Sequence, residues 1–150
     1  MTTTMHDTIL YEGELYDIIS VNGDGLITPQ MYNMFPGFIS SDCTRDHISK
    51  YVLLDGFLLL ADMKIGPLTG EIAKRIQGKT PDESGTYREV NVWSRLMGSL
   101  KVARNPKKKG SEQAGNNDEA AYETVIDILF QDGELLLTRD MSDDAGESPA

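Results

Sequence analysis

The chain has 150 residues, 39% of them hydrophobic, and carries 14 basic against 24 acidic side chains for a net charge of −10. That length suits a single domain, 1–150, able to bury roughly two-thirds of its unfolded surface without a metal or a disulfide, and that charge repels nucleic-acid phosphates and anionic membrane surfaces. The lone Cys43 excludes an internal bridge, the stretch Met1–Asp7 lacks the pattern of a signal peptide, and no segment reaches the roughly 18 apolar residues of a membrane span, so the reading is a cytoplasmic protein.

In chain order, the first element is a hairpin from about Ile9 to Ile19, turning at Glu12-Gly13. An acidic residue followed by Gly favours a two-residue turn, because both positions need positive φ. Asn22-Gly23-Asp24-Gly25 is turn-rich. From Thr28 to Phe35 a short helix is expected, with Thr28 as its cap, Pro29 at its first position and Pro36-Gly37 as its stop. Phe38–Ser41 is expected to open a strand. Thr44–Lys64 is the most strand-like part and turns at Asp55-Gly56, which sets Leu54 against Phe57, Leu53 against Leu58 and Val52 against Leu59. Its unbroken apolar run predicts that both faces of this hairpin are covered.

Thr69–Gly78 reads as a second short helix, with Ile72 and Ile76 on one face and Gly78 at its end. Lys79–Thr86 is a loop. Strands are expected around Val90–Trp93 and Gly98–Ala103, then a mobile polar loop over about 105–119. Tyr122–Met141 forms a third hairpin turning at Asp132-Gly133, and about 142–150 reads as a disordered acidic tail. The expected fold is therefore mainly β in an α+β arrangement. It is an antiparallel sheet of hairpins with one or two short helices covering it. The second and third hairpins, apolar on both faces, are expected at its centre, and the first, with Glu14 and Asp17 among its apolar residues, at an edge.

Two constellations offer chemistry. Asn22–Ile27 resembles the middle of a calcium-binding loop, but the twelfth position falls on Met31, where a hard cation needs a bidentate carboxylate. A plain Gly-rich turn is the better account. Cys43 and His47, four residues apart with Arg45 and Asp46 between them, have the types of a nucleophile and its base. In a turn entering a strand they would stand roughly 13 Å apart. Two His and one Cys cannot close a structural zinc site without carboxylates, and no phosphate-cradling loop or nucleophile elbow occurs, so no metal, cofactor or catalytic residue is assigned. Lys107-Lys108-Lys109 reads as a solvated loop.

The aromatics Tyr11, Tyr16, Tyr32, Tyr51, Tyr87 and Trp93 could line a cleft, although strand positions favour packing. The acids around the three turns, Glu12, Glu14, Asp55, Asp132 and Glu134, are the candidate residues for facing a basic partner.

Leu10–Tyr16, the Ser40–Arg45 segment leading into Val52–Leu60, and Phe130–Leu137 together resemble a group of small bacterial β-rich proteins of unknown function. As a type, the chain also resembles the acidic immunity proteins that neutralise basic toxins. That resemblance implies a non-enzymatic binding protein, an inhibitor or immunity factor for a basic partner, and the acidic charge leaves no role for nucleic acid or membrane. The rival expectation is a small enzyme or ligand-binding domain with a cleft near Cys43 and His47. A third is a homo-oligomer joined through its Leu runs.

Overall fold

Three two-residue turns organise the chain. Glu12-Gly13 (φ 53° and 82°), Asp55-Gly56 (54° and 84°) and Asp132-Gly133 (54° and 81°) all take positive φ at both positions, the geometry whose twist matches that of the strands it joins. The computed structural model describes residues 6–41, 43–106 and 122–141. Its strands are β1 Thr8–Tyr11, β2 Glu14–Asp24, β3 His47–Leu54, β4 Phe57–Ile65, β5 Thr86–Tyr87, β6 Val92–Trp93, β7 Met97–Pro106, β8 Tyr122–Gln131 and β9 Glu134–Asp140.

The hydrogen-bonded order is β3-β1-β2-β7-β8-β9-β4, and β3 also pairs β4, so these seven strands close into a barrel. One neighbouring pair is parallel: β1 lies on β3 with Ile9 opposite Tyr51. The ring is sealed unevenly. β9 meets β4 only at Glu134 and Phe57, reinforced by Leu58 N–H to Gly133 O at 2.8 Å and Leu135 N–H to Gly56 O at 2.7 Å. Beyond that point β4 is edged by β6, with Trp93 opposite Leu59, and by β5, with Tyr87 opposite Met63.

Alternation sends Ile9, Tyr16, Ile18, Tyr51, Leu58, Leu60, Leu100, Val102, Ile128 and Phe130 into one core, joined by Tyr87 of β5 and by Ile27, Met34, Ile76 and Leu96 from the connecting segments. Tyr51 shows how those segments are tied in. Its hydroxyl, at the centre of the core, accepts the Ile27 backbone N–H at 3.0 Å. A smaller cluster of Ile19, Ala103, Tyr122 and Val125 forms separately, with Met141 against it. Gly23 and Gly98 face each other across β2 and β7, and a Cβ on Gly23 would stand 2.1 Å from Met97 O. The Asn22–Gly25 glycines thus serve close backbone approach.

Several expectations need correction. The mainly β class holds, but no helix covers the sheet among the described residues; the helical content there is one 3₁₀ turn, Pro29–Tyr32. Thr28 precedes it without a side-chain cap bond, and Asn33 at φ 60° ends it well before Pro36. Thr69–Gly78 is irregular: Gly70 (φ 74°), Gln77 (52°) and Gly78 (77°) leave the helical region. There Ile72 is 84% exposed while Ile76 is buried. Its groups bond outward, with Lys74 N–H on Met34 Sδ at 3.4 Å and Lys74 O accepting the Tyr87 hydroxyl at 2.6 Å. Phe38–Ser41 forms no strand; it enters a turn in which Ser40 and Cys43 exchange backbone bonds.

The placement of the hairpins differs in part, although β3 and β4 of the second have neighbours on both sides as expected. The first is no edge, since β1 pairs β3 and β2 pairs β7. The third is only partly interior: β8 is paired on both sides, whereas β9 meets β4 only at Glu134 and is exposed at Leu136, Leu137, Thr138 and Arg139. The second is not covered on both faces, because Leu54 and Phe57 face solvent. Of the loop expected over 105–119, Asn105 and Pro106 belong to β7 and the remainder lies outside the described residues, as does the tail from 142 to 150.

Candidate binding surface

Leu58 and Leu60 point inward and are fully buried, so period-two alternation turns Phe57 and Leu59 outward, with Leu54 and Val52 opposite them on β3. Trp93 pairs with Leu59 and shares that face. Its ring meets Phe57 edge-on, with centroids 5.8 Å apart at 87°, the arrangement that the quadrupoles of two aromatic rings favour. Leu54, Asp55, Phe57, Leu59 and Trp93 line a shallow groove of ≈ 480 Å³. Leu54 is 53% exposed, Trp93 40% and Phe57 37%. Large apolar side chains gathered at one exposed place mark an interaction surface more often than scattered ones do.

The Trp93 ring is held in place by its neighbours. The Arg95 guanidinium lies 4.3 Å from the centre of the Trp93 ring and donates two 2.8 Å bonds to the Asp132 carboxylate. That partner keeps the Asp132 carboxyl below its ordinary range and raises Arg95. The next residue, Gly133, donates its N–H to Leu96 O at 2.9 Å. A Cβ there would stand 1.9 Å from Ser94 O and 2.5 Å from Trp93 Nε1. Ser94 is buried and fully committed, its N–H on Leu58 O at 2.9 Å and its hydroxyl on Gly25 O at 2.8 Å.

The five candidate acids fall into two groups. Asp55 lines the groove, Glu134 stands opposite Phe57, and Asp132 is on the same β8–β9 turn but is neutralised by Arg95. Glu12 and Glu14 belong to the β1–β2 turn, where Glu14 lies 3.7 Å from Arg104. Arg104 in turn sits 5.4 Å from the centre of the Tyr16 ring. Of the apolar half of the groove, sequence reasoning offered Trp93 as a cleft aromatic and did not single out Leu54, Phe57 or Leu59. Leu54 and Phe57 directly flank a two-residue turn, where a barrel ends and side chains lose their cover, and that position is the signal that could have found them.

Cys43 is buried at 4% exposure, in a turn where its N–H also meets Ser40 Oγ at 3.1 Å. His47 begins β3 opposite Ile65, its Nδ1 2.7 Å from Asp46 Oδ1. Burial raises the Asp46 carboxyl, but hydrogen bonds from His47 and Gln30 outweigh it and hold it below its ordinary value. A second cavity of ≈ 310 Å³ is lined by Ile39, Lys64, Ile65, Gly66, Pro67, Glu83, Ser84 and Gly85, and by neither Cys43 nor His47. Lys107–Lys109 lie outside the described residues. Among the described residues no group of three or more His, Cys, Asp or Glu is placed to hold a metal ion, and no helix is long and apolar enough to cross a membrane.

No family model matches the chain, and neither a curated protein nor a solved structure matches it.

Proposed function

We propose that the chain is a non-enzymatic binding protein that holds a basic protein partner on the groove around Trp93, as an inhibitor or immunity factor does. The observation that carries this is the exposed Leu54, Phe57 and Trp93 cluster with Asp55 in its lining and Glu134 beside it. An apolar centre with a charged rim is how protein interfaces divide their work: the desolvated aromatics supply affinity, and the rim supplies steering and partner choice. The net charge of −10 extends that steering over the whole surface.

Trp93 is the single tryptophan, so its fluorescence reports the groove alone. Affinity capture at 50 mM salt with the wild-type chain as bait is expected to recover a basic protein that Phe57→Ser bait does not. The purified partner should shift the Trp93 emission, and its association rate should fall at least tenfold between 50 and 500 mM salt. Recovery of the same proteins by both baits, or a partner whose binding leaves Trp93 unmoved, overturns the reading.

A further inference from the structure

We propose that the open edge of β9 takes up an extended basic segment of the partner as an added strand; this rests on the binding reading above and specifies what the partner presents. β8 occupies one side of β9, from Gln131 opposite Glu134 to Ile126 opposite Asp140. On the other side Glu134 is paired with Phe57 and the Leu135 N–H is taken by Gly56 O at 2.7 Å. From Leu136 to Arg139 no described strand pairs with that side. Met141 N–H bonds Val125 O on β8 at 2.8 Å, so alternation turns Arg139 toward β8 and aims the Thr138 N–H and C=O at the open side. Leu136 and Leu137 beside this edge are 52% and 54% exposed. Unpaired backbone next to exposed apolar side chains is a template for strand addition.

Charge selects the occupant. At one end of the edge stand Glu134 and, beside the Gly56 carbonyl, Asp55. At the other, the Tyr11 hydroxyl meets the Thr138 side chain, which brings up the β1–β2 turn with Glu12 and Glu14. Glu14 is served by Arg104 at 3.7 Å, whereas Glu12, Asp55 and Glu134 form no ion pair among the described residues. Of the nearby cations, Arg95 is committed to Asp132 and Arg139 lies opposite Asp127. A strand lying between the two acidic turns therefore meets carboxylates at both ends. A second copy of this chain, edge to edge, would set those carboxylates against one another, which opposes pairing. The open stretch is Leu136–Arg139, so the complementary segment sets a short run of β-branched residues against it and carries basic residues at both ends.

The test is titration of the ¹⁵N-labelled full chain with the peptide acetyl-Lys-Lys-Val-Thr-Val-Thr-Lys-Lys-amide. Expected are shifts of the Leu136–Arg139 amides and at least tenfold slower hydrogen exchange at the Thr138 N–H. Methylating alternate peptide nitrogens should weaken binding at least tenfold, as should Glu12→Lys with Glu134→Lys in a variant whose circular dichroism is unchanged. Shifts confined to Leu54, Phe57 and Trp93, with Thr138 unprotected, overturn the added strand and leave the groove reading standing. Absence of any shift at millimolar peptide overturns the edge as well, while the groove reading is decided by the capture experiment, whose Phe57→Ser variant leaves Leu136–Arg139 unchanged. Light scattering that finds a dimer with Thr138 protected in the absence of peptide assigns the edge to a second copy and overturns the basic partner.

Discussion

The β1–β2 and β8–β9 turns share one backbone geometry and differ in everything around it. Glu12-Gly13 and Asp132-Gly133 agree in φ to within a degree at each position. A Cβ on Gly13 would meet nothing within 4 Å, whereas one on Gly133 would collide with Ser94 O and the Trp93 ring. The first turn projects from the barrel, and its hairpin is held along its arms, by β3 on one side and β7 on the other. The last is held at its tip, by Leu58, Leu96 and Arg95, while along much of its outer arm no described strand pairs with one side. Local chemistry thus chooses the turn, and tertiary contact decides what the turn is worth.

The largest effect expected from that contrast is at Gly133. Gly133→Ala adds a methyl 1.9 Å from a backbone oxygen, at a φ of 81°, so main chain must move. Overpacking together with the positive-φ penalty predicts a loss of about 3 kcal/mol or more, with the Trp93 emission shifted as the ring is displaced. Chemical denaturation measures the first and fluorescence the second. A loss below about 1 kcal/mol would show that the tip is not clamped.

Next in size is Tyr51→Phe, which tests the hold on the first hairpin. Tyr51 lies opposite Ile9 in the parallel ladder, and its hydroxyl accepts the Ile27 N–H. Removing it leaves a buried donor unsatisfied, at a cost of about 1–3 kcal/mol. Burial, with the Asp7 charge adding to it, raises the Tyr51 phenol well above its ordinary value. Tyr122, also pushed up by burial and by the Asp17 carboxylate, reaches about 12. For a neutral acid raised in the fold, the unfolded chain ionises first. The stability these two phenols contribute is therefore complete below pH 10 and falls as pH rises above it. The wild type should lose stability steeply beyond pH 10, and Tyr51→Phe should make that fall shallower. An equally steep fall in the variant would remove Tyr51 as its cause.

How much of this was legible in the sequence follows from range. The turns were readable because Asp-Gly and Glu-Gly act over two residues, and the register of β3 on β4 follows from the Asp55-Gly56 turn: Leu54 faces Phe57 and Leu53 faces Leu58 as expected. The parallel β1–β3 pair joins residues about 40 apart in sequence and leaves no local mark. Closure into a barrel, which turned the expected edge hairpin into an interior one, could not be read for the same reason. Ile72 and Ile76 imitated a helix face because two positions are too few to define a period. At the site, Asp55 and Glu134 were legible as turn acids. Trp93 was legible only as one of six aromatics that could line a cleft, and Leu54 and Phe57 were not, since an apolar residue in a strand reads as core until the neighbouring layer is known to be absent.

A smaller effect is expected at the first turn. Gly13→Ala meets no atom within 4 Å, so only the φ of 82° opposes it, and the loss should be about 1 kcal/mol. The ratio of the two Gly→Ala losses, measured under one set of conditions, expresses the contrast between the hairpins directly. Equal losses would mean that the turn geometry alone sets both.

The smallest effect is electrostatic and separates the last turn from the first by pH. Asp132 is exposed and bonded through both carboxylate oxygens to Arg95, and its carboxyl is held below the ordinary range by that guanidinium. Because its folded pKa is depressed, the stabilisation is present above the carboxyl's unfolded value near 4 and is lost as pH falls through the lower, folded one. Asp132→Asn should therefore melt slightly below the wild type at pH 7, with the difference shrinking as pH falls below about 4, and it should shrink with added salt at pH 7 as well. Exposure keeps the effect small in stability. Its local consequence is larger: with Arg95 released from Asp132, the cation is free to leave the Trp93 ring, and the Trp93 emission should change with the same pH dependence. A Trp93 signal that ignores pH between 2 and 7 in the wild type would detach the turn from the groove, and the clamp at the tip would then rest on Gly133 alone.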